Sequence, residues 1–361
     1  MTRRGVTLTE LLIVIGIIAL MLAVLLPALG RARRGAAGIR CASNQRQIVQ
    51  AMLMYAGENR YAIPGSPNTT GLHLMTNPTY SDDHCPERIS IFDYKTPLAP
   101  YLETPFNAGA ARADRLERLA HLNDADPFLC PENAGVIATP FSAGAPAVQW
   151  NSYSTGILFL YRPYGASIPG YGSSHPFLRQ RIHPDVSPYN RPYRLPRSYT
   201  PRLTKIGSAG QKAFLADGAR YARGLYPTYN ASIMTSTGGD YADYGPFTVW
   251  ANAFMRHRAP ENVAAGQDDL SGIGPDDTRV LWARHGARVP GGRGNDYRLN
   301  VAFYDGRVQS MGDLEASNPV HWAPVGTRIR ADEFWADTMR THVSPDGAVN
   351  IDDEGYFKVP G

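Results

Sequence analysis

Charge is scarce in this chain, and over one long stretch it is missing altogether. Only 19% of the 361 residues are charged, and Leu11 to Leu29 contains no charged residue at all. The formal net charge is +4, and loss of Arg3 and Arg4 would leave +2. So even a balance gives no electrostatic footprint for a nucleic-acid partner. Cysteine is rarer still, with Cys41, Cys85 and Cys130 alone. Three cysteines without a Cys-x-x-Cys pair exclude a zinc-finger set and a disulfide framework. The nine histidines are scattered with no His-x-x-x-His pair. There is also no Gly-x-Ser-x-Gly elbow and no glycine loop ending in Lys-Ser or Lys-Thr. With the usual hydrolase, metalloprotease and nucleotide-binding signatures missing, the expectation is a protein that is not an enzyme. Glycine and proline are plentiful, at 35 and 29, and 20 tyrosines accompany them. That composition predicts many turns and long ordered loops rather than a helical bundle.

The stretch that organises the chain is MTRRGVTLTELLIVIGIIALMLAVLLPALG. Its uncharged run of nineteen residues matches the length a helix needs to cross a bilayer, about 20 residues. Gly16 and Pro27 interrupt the run, and both are tolerated in membrane helices. An ordinary secretory signal has an apolar core of roughly 7–15 residues followed by a small-residue cleavage site. Here the run is longer, and Arg31, Ala32, Arg33 and Arg34 follow it with no break in helix-compatible sequence. Glu10 is the one acid beside the run, where a carboxylate is costly and asks for a partner.

The residues Gly5, Val6, Thr7, Leu8, Thr9, Glu10, Leu11 and Leu12 resemble the prepilin signal of type IV pilins and type II secretion pseudopilins. The resemblance implies cleavage by a prepilin peptidase after Gly5 and methylation of the new N-terminus at Val6. Val6 stands where the family usually has Phe. Glu10 becomes the fifth mature residue, the position implied to guide assembly. The text RCASNQRQIVQAMLMYAGENRYAIP, residues 40–64, resembles a block in large bacterial pilin-like proteins of the planctomycete type. RLNVAFYDGRVQSM, residues 298–311, is similar to that family's C-terminal element, in which a histidine precedes an Asp-Gly pair. Here His285 precedes Asp305 and Gly306 by twenty positions, stretched by a Gly/Arg-rich insertion.

The expected organisation is a leader at 1–5, an N-terminal helix at 6–62 and an extracytoplasmic α+β body at 63–361. Within the helix, 11–29 would span the membrane and 31–61 would be amphipathic. Ile48, Val49, Met52, Leu53, Tyr55 and Ala56 recur at helical spacing, with Gln45, Arg46, Gln47 and Gln50 between them, and Pro64-Gly65 is the expected stop. A further helix is expected over 108–122, a short helical turn in TPLAPYLETP, and strands within 148–161. KAFLADG and RLNVAFYDGRVQSM read as strands with Asp-Gly turns. The stretch 162–202 interleaves Tyr, Arg, Pro and Gly, and reads as a stiffened surface loop rather than a ligand platform. The fold class expected is α+β and pilin-like, with the long helix packed on an antiparallel sheet.

HCPERIS and LCPENAG share a Cys-Pro-Glu core, which makes Cys85 with Cys130 the expected disulfide of an exported body. Cys41 with either one, or three buried thiols, are the alternatives. Asp217, His285 and Asp305 form a conceivable metal or acid–base group that nothing in the sequence brings together. Asp268, Asp269, Asp276 and Asp277 are weak calcium candidates, as are Asp346, Asp352, Asp353 and Glu354. Neither set has EF-hand spacing, and no cofactor is expected. The resemblance implies a structural subunit of a type IV pilus-like or type II pseudopilus filament. Its partners would be a prepilin peptidase, other pilin or pseudopilin subunits and an inner-membrane assembly platform. It would sit in the inner membrane as a single-pass protein with its body outside, assembled into a periplasmic or surface filament. Arg31, Arg33 and Arg34 run against the charge rule for that orientation. The alternative is an extracytoplasmic binding protein or enzyme that uses the helix as a tether.

Overall fold

The computed structural model describes residues 7–65, 94–107, 112–135, 137–140, 147–149, 152–160, 193–217, 228–229, 285, 298–316, 318–330, 351, 353 and 355–360. Gly5, Val6, Cys85, Asp268, Asp269, Asp276 and Asp277 lie outside the described residues, as do Asp346, Asp352 and Glu354; Asp353 is exposed at a turn.

Helix α1 runs unbroken from Leu8 to Glu58, 51 residues with Pro27 inside it. At 1.5 Å per residue it is roughly 77 Å long, more than twice the hydrocarbon thickness of a bilayer. Its first half is long and apolar enough to cross a membrane. Every large apolar side chain from Leu8 to Leu29 is exposed, whereas Cys41, Asn44, Gln45, Ile48, Val49, Ala51, Met52, Tyr55 and Ala56 are buried. The helix stops before Pro64. Asn59 N–H bonds the Tyr55 and Ala56 carbonyls, and Arg60 and Tyr61 then turn the chain at φ 54° and 62°.

After α1 come helix α2 (Lys95–Leu98), continued by a 3₁₀ turn over Ala99–Leu102, and helix α3 (Arg112–Asp124). Strands β1 (Ile137–Pro140), β2 (Val148–Gln149), β3 (Tyr153–Thr155), β4 (Tyr193–Arg194), β5 (Ala213–Asp217), β6 (Thr228–Tyr229), β7 (Arg298–Phe303) and β8 (Val308–Gly312) follow. Short helices α4 (Asp313–Ala316) and α5 (Pro319–Trp322) and strands β9 (Arg328–Arg330) and β10 (Tyr356–Lys358) complete the order. The strands expected within 148–161 are β2 and β3, but Ile157–Phe159 coils into a 3₁₀ turn.

The central sheet has the order β3-β5-β7-β8 and is antiparallel throughout. The buried half of α1 lies across it, touching β7, β8 and β5. This is the α+β layout expected, a long helix on an antiparallel sheet. Two further sheets have three strands each, β2-β1-β6 and β10-β9-β4, and β1 pairs with β6 in parallel. β7 and β8 form the Asp-Gly hairpin the sequence predicts: Ala302 faces Val308, and Gly306 N–H bonds Phe303 O at 3.0 Å. Gly306 has φ +92°, a conformation glycine adopts without strain. Leu53, expected on the buried stripe, is instead partly exposed beside this turn, 3.6 Å from where a Cβ on Gly306 would sit. Inside the body Phe214 stacks edge-on against Tyr94 and tilts against Tyr304, both buried, which ties β5 to the segment before α2.

Lys212 enters this core just before β5. Its Nζ donates to Val320 O at 2.8 Å, and burial pushes its pKa down from 10.5 to about 8. Because the unfolded chain keeps its proton to higher pH, the Lys212 contribution to stability should rise as pH climbs from about 8 to 10.5, while Tyr101, Tyr199 and Tyr304, whose pKa values burial raises above 10, begin to oppose it near pH 10. The span is worth about 3 kcal/mol. Burial also pushes the pKa of neighbouring His321 down, so that residue titrates below this window. Lys212→Met should flatten the rise, and should stabilise the protein near neutrality by about 2 kcal/mol after losing one hydrogen bond. Denaturant midpoints at pH 7 and pH 10 check this; an unchanged slope would refute it.

Candidate functional site

Two places in the fold combine unusual chemistry with defined geometry. The first is the start of α1. Thr7 is its N-cap, and Glu10 occupies the third helical position. Thr7 N–H donates to Glu10 Oε2 at 2.8 Å, Thr7 Oγ1–H donates to the same oxygen at 2.8 Å, and Glu10 N–H returns a bond to Thr7 Oγ1 at 3.3 Å. This reciprocal capping box satisfies two backbone N–H groups that a helix start otherwise leaves open. It gives Glu10 a local partner that the sequence reading did not assign. The adjoining apolar surface is uncovered among the described residues. Leu11, Leu12, Ile13, Val14, Ile15, Ile17, Ile18, Leu20, Met21, Leu22, Val24, Leu25, Leu26 and Leu29 are all exposed, and a Cβ on Gly16 would meet nothing within 4 Å. A contiguous apolar face of this size marks a surface that meets lipid or protein.

The second place is buried, where α1 crosses the sheet. Cys41 is bonded to Cys130, a disulfide spanning 89 residues. The expected Cys85–Cys130 pair is therefore corrected: Cys130 belongs to Cys41. The shared Cys-Pro-Glu text described two similar local segments, whereas pairing follows which segment packs on α1. The 3₁₀ turn after Cys130, Pro131–Asn133, packs on α1, and Asn44 Nδ2 anchors Leu129 O at 2.9 Å.

His285 lies over this disulfide. Its backbone N–H bonds Arg298 O at 3.2 Å, which ties it to the start of β7. Its Nε2 stands 3.4 Å from Asp217 Oδ2 and 3.9 Å from Cys130 Sγ, and its Nδ1 stands 3.7 Å from Glu132 Oε2. Asp217 ends β5 and is fully buried. An ionised carboxylate there needs several partners. Gln45 Nε2 donates to its Oδ1 at 3.0 Å, and Asn300 N–H donates to its Oδ2 at 2.8 Å. Gln45, read from sequence as an outward residue, is wholly buried because it serves this carboxylate. Gly38 lies beside the ring: a Cβ there would stand in van der Waals contact with His285 Cγ and Nδ1, at 3.4 Å. Asn300 Nδ2 also donates to Gly38 O at 3.2 Å. Gly38, Cys41 and Gln45 thus share one helical face at steps of three and four.

Of the three residues imagined as one group, Asp217 and His285 come together and Asp305 does not. Asp305 sits at the hairpin turn, seven residues beyond Arg298 and roughly 20 Å along the strand direction. There it accepts from Arg307 N–H at 3.0 Å, which is turn chemistry. No protein-family model, curated protein or solved structure matches this chain.

Proposed function

We propose that this protein is a structural subunit of a pilus-like or pseudopilus filament, cut after Gly5 and held in the inner membrane by α1 before it assembles. The observation that carries the reading is the apolar half of α1, exposed along its whole length and continuous with a half that is buried in the body. One rigid element therefore joins the body to whatever covers the apolar half. Lipid covers it in the stored subunit, and the helices of other copies cover it in the filament. The body lies outside the membrane, and the buried cluster braces it against the helix on which force would be transmitted. A tether for an extracytoplasmic binding protein is the second reading. The capping box favours it, because Glu10 already has a partner within its own helix.

Processing separates the prepilin reading from that of an uncut anchor. Mass spectrometry of protein extracted from membranes should find Val6 at the N-terminus, carrying a methyl group. Gly5→Leu should leave the leader in place, because the residue before the scissile bond must be small. A wild-type terminus at Met1 or Thr2 would remove the processing claim.

A further inference from the structure

We infer that the Cys41–Cys130–Asp217–His285 cluster is a zinc-class metal site held shut by its disulfide, and that it opens to metal when the disulfide is reduced. The four donor atoms lie within 4.8 Å of one another, and all four residues are buried. Tetrahedral zinc takes sulfur at about 2.3 Å and nitrogen or oxygen at about 2.0–2.2 Å, which sets neighbouring donors roughly 3.3–3.8 Å apart. His285 Nε2 to Asp217 Oδ2 is 3.4 Å, and His285 Nε2 to Cys130 Sγ is 3.9 Å. Those edges are already near the required size. The sulfurs are unsuited while they are bonded to each other, because neither can then be a thiolate; the donors spread to 4.8 Å and would draw in on binding.

The surroundings of the four donors are those of a metal cage. Glu132 faces Nδ1 of His285 at 3.7 Å. A metal here would take the Nε2 lone pair, which requires the ring proton to sit on Nδ1. Gln45 and the Asn300 backbone N–H hold the Asp217 carboxylate in place. Two sulfurs, one imidazole and one carboxylate suit a borderline-soft divalent ion such as Zn²⁺ rather than calcium, which takes oxygen ligands.

The chemistry balances in two steps. A dithiol reductant transfers two electrons and two protons: the Cys41–Cys130 bond breaks, two thiols form, and the reductant closes into its own disulfide. Zn²⁺ then binds the two sulfurs, His285 Nε2 and a carboxylate oxygen of Asp217, and releases the two thiol protons. The metal replaces the covalent link between α1 and the segment after α3. Disulfide and metal are therefore mutually exclusive occupants of one place.

Cobalt is the probe that tests this, because tetrahedral thiolate coordination gives Co²⁺ intense visible and near-ultraviolet absorption. The full chain in detergent, reduced by a phosphine that leaves no competing thiol, should bind one Co²⁺ with that spectrum and yield it to Zn²⁺. The oxidised chain should bind none. Cys41→Ser, Cys130→Ser and His285→Ala should each weaken binding by more than a hundredfold, and Cys85→Ser not at all. If reduction alone loosens the body, one equivalent of Zn²⁺ should restore its near-ultraviolet circular dichroism. A reduced chain that neither gives the tetrahedral spectrum nor refolds with zinc overturns the inference. So does a spectrum that survives Cys41→Ser.

Discussion

Glu10→Gln and Glu10→Leu should both give membrane-inserted protein cleaved after Gly5 that no longer assembles. Glu10→Gln set beside Thr7→Val separates the two jobs this carboxylate can do. Gln can replace Glu in a capping box, so Glu10→Gln keeps the reciprocal bonds to Thr7 and removes only the charge. Thr7→Val does the reverse, breaking the cap and leaving the charge. In a filament, the α-amino group of a neighbour's Val6 would lie against Glu10 in a low-dielectric bundle, where opposite charges attract strongly. Removing one member of a buried pair costs about 3–5 kcal/mol. A loss of about 1.4 kcal/mol per contact is already tenfold in affinity, and it recurs at every subunit. Multimers trapped by cross-linking should therefore fall at least tenfold for Glu10→Gln and stay near wild type for Thr7→Val. The opposite ranking would assign Glu10 to helix capping alone and favour the tether.

The second large effect concerns the link between helix and body. The double substitution Cys41→Ala/Cys130→Ala should lower stability by about 4–5 kcal/mol. The disulfide closes a loop spanning 89 residues, whose entropy in the unfolded chain accounts for that amount. Folded domains of ordinary size have only about 5–15 kcal/mol in hand. Denaturant unfolding of the detergent-solubilised protein should show the midpoint falling, and a loss below about 1 kcal/mol would contradict the estimate. Membrane insertion should be unaffected, because the apolar side chains from Leu8 to Leu29 are exposed and lie before the disulfide-bonded part of α1.

The elements that local pattern determines were legible from the residues. Nineteen uncharged residues predict a spanning helix, and Asp305-Gly306 between alternating strands predicts the β7–β8 hairpin. Helix α3 was expected at 108–122 and runs Arg112–Asp124. The stop of α1 was assigned to Pro64-Gly65, but Asn59, Arg60 and Tyr61 end it earlier by hydrogen bonding and left-handed backbone. The buried cluster was illegible for a different reason. Its four residues, Cys41, Cys130, Asp217 and His285, come from four distant segments, so no spacing betrays them. Gln45 looked like a surface residue because glutamine usually is one, and only the partner on β5 explains its burial. One signal was present: Gly38, Cys41 and Gln45 repeat at helical steps on the face that carries Ile48 and Met52. A small residue, a cysteine and an amide on an otherwise apolar stripe mark a polar contact inside a core.

The central claim is that the apolar half of α1 exists to be buried against other copies of itself. A cysteine scan tests it most directly. Single cysteines placed at each position from 11 to 29, with Cys85→Ser as background, are oxidised in membranes and read for cross-linked dimers and higher ladders. The account predicts ladders that recur every three to four residues along the helix and vanish in the Glu10→Gln background. Monomer at every position in cells that process the protein normally would contradict it, and would leave α1 as a tether in lipid.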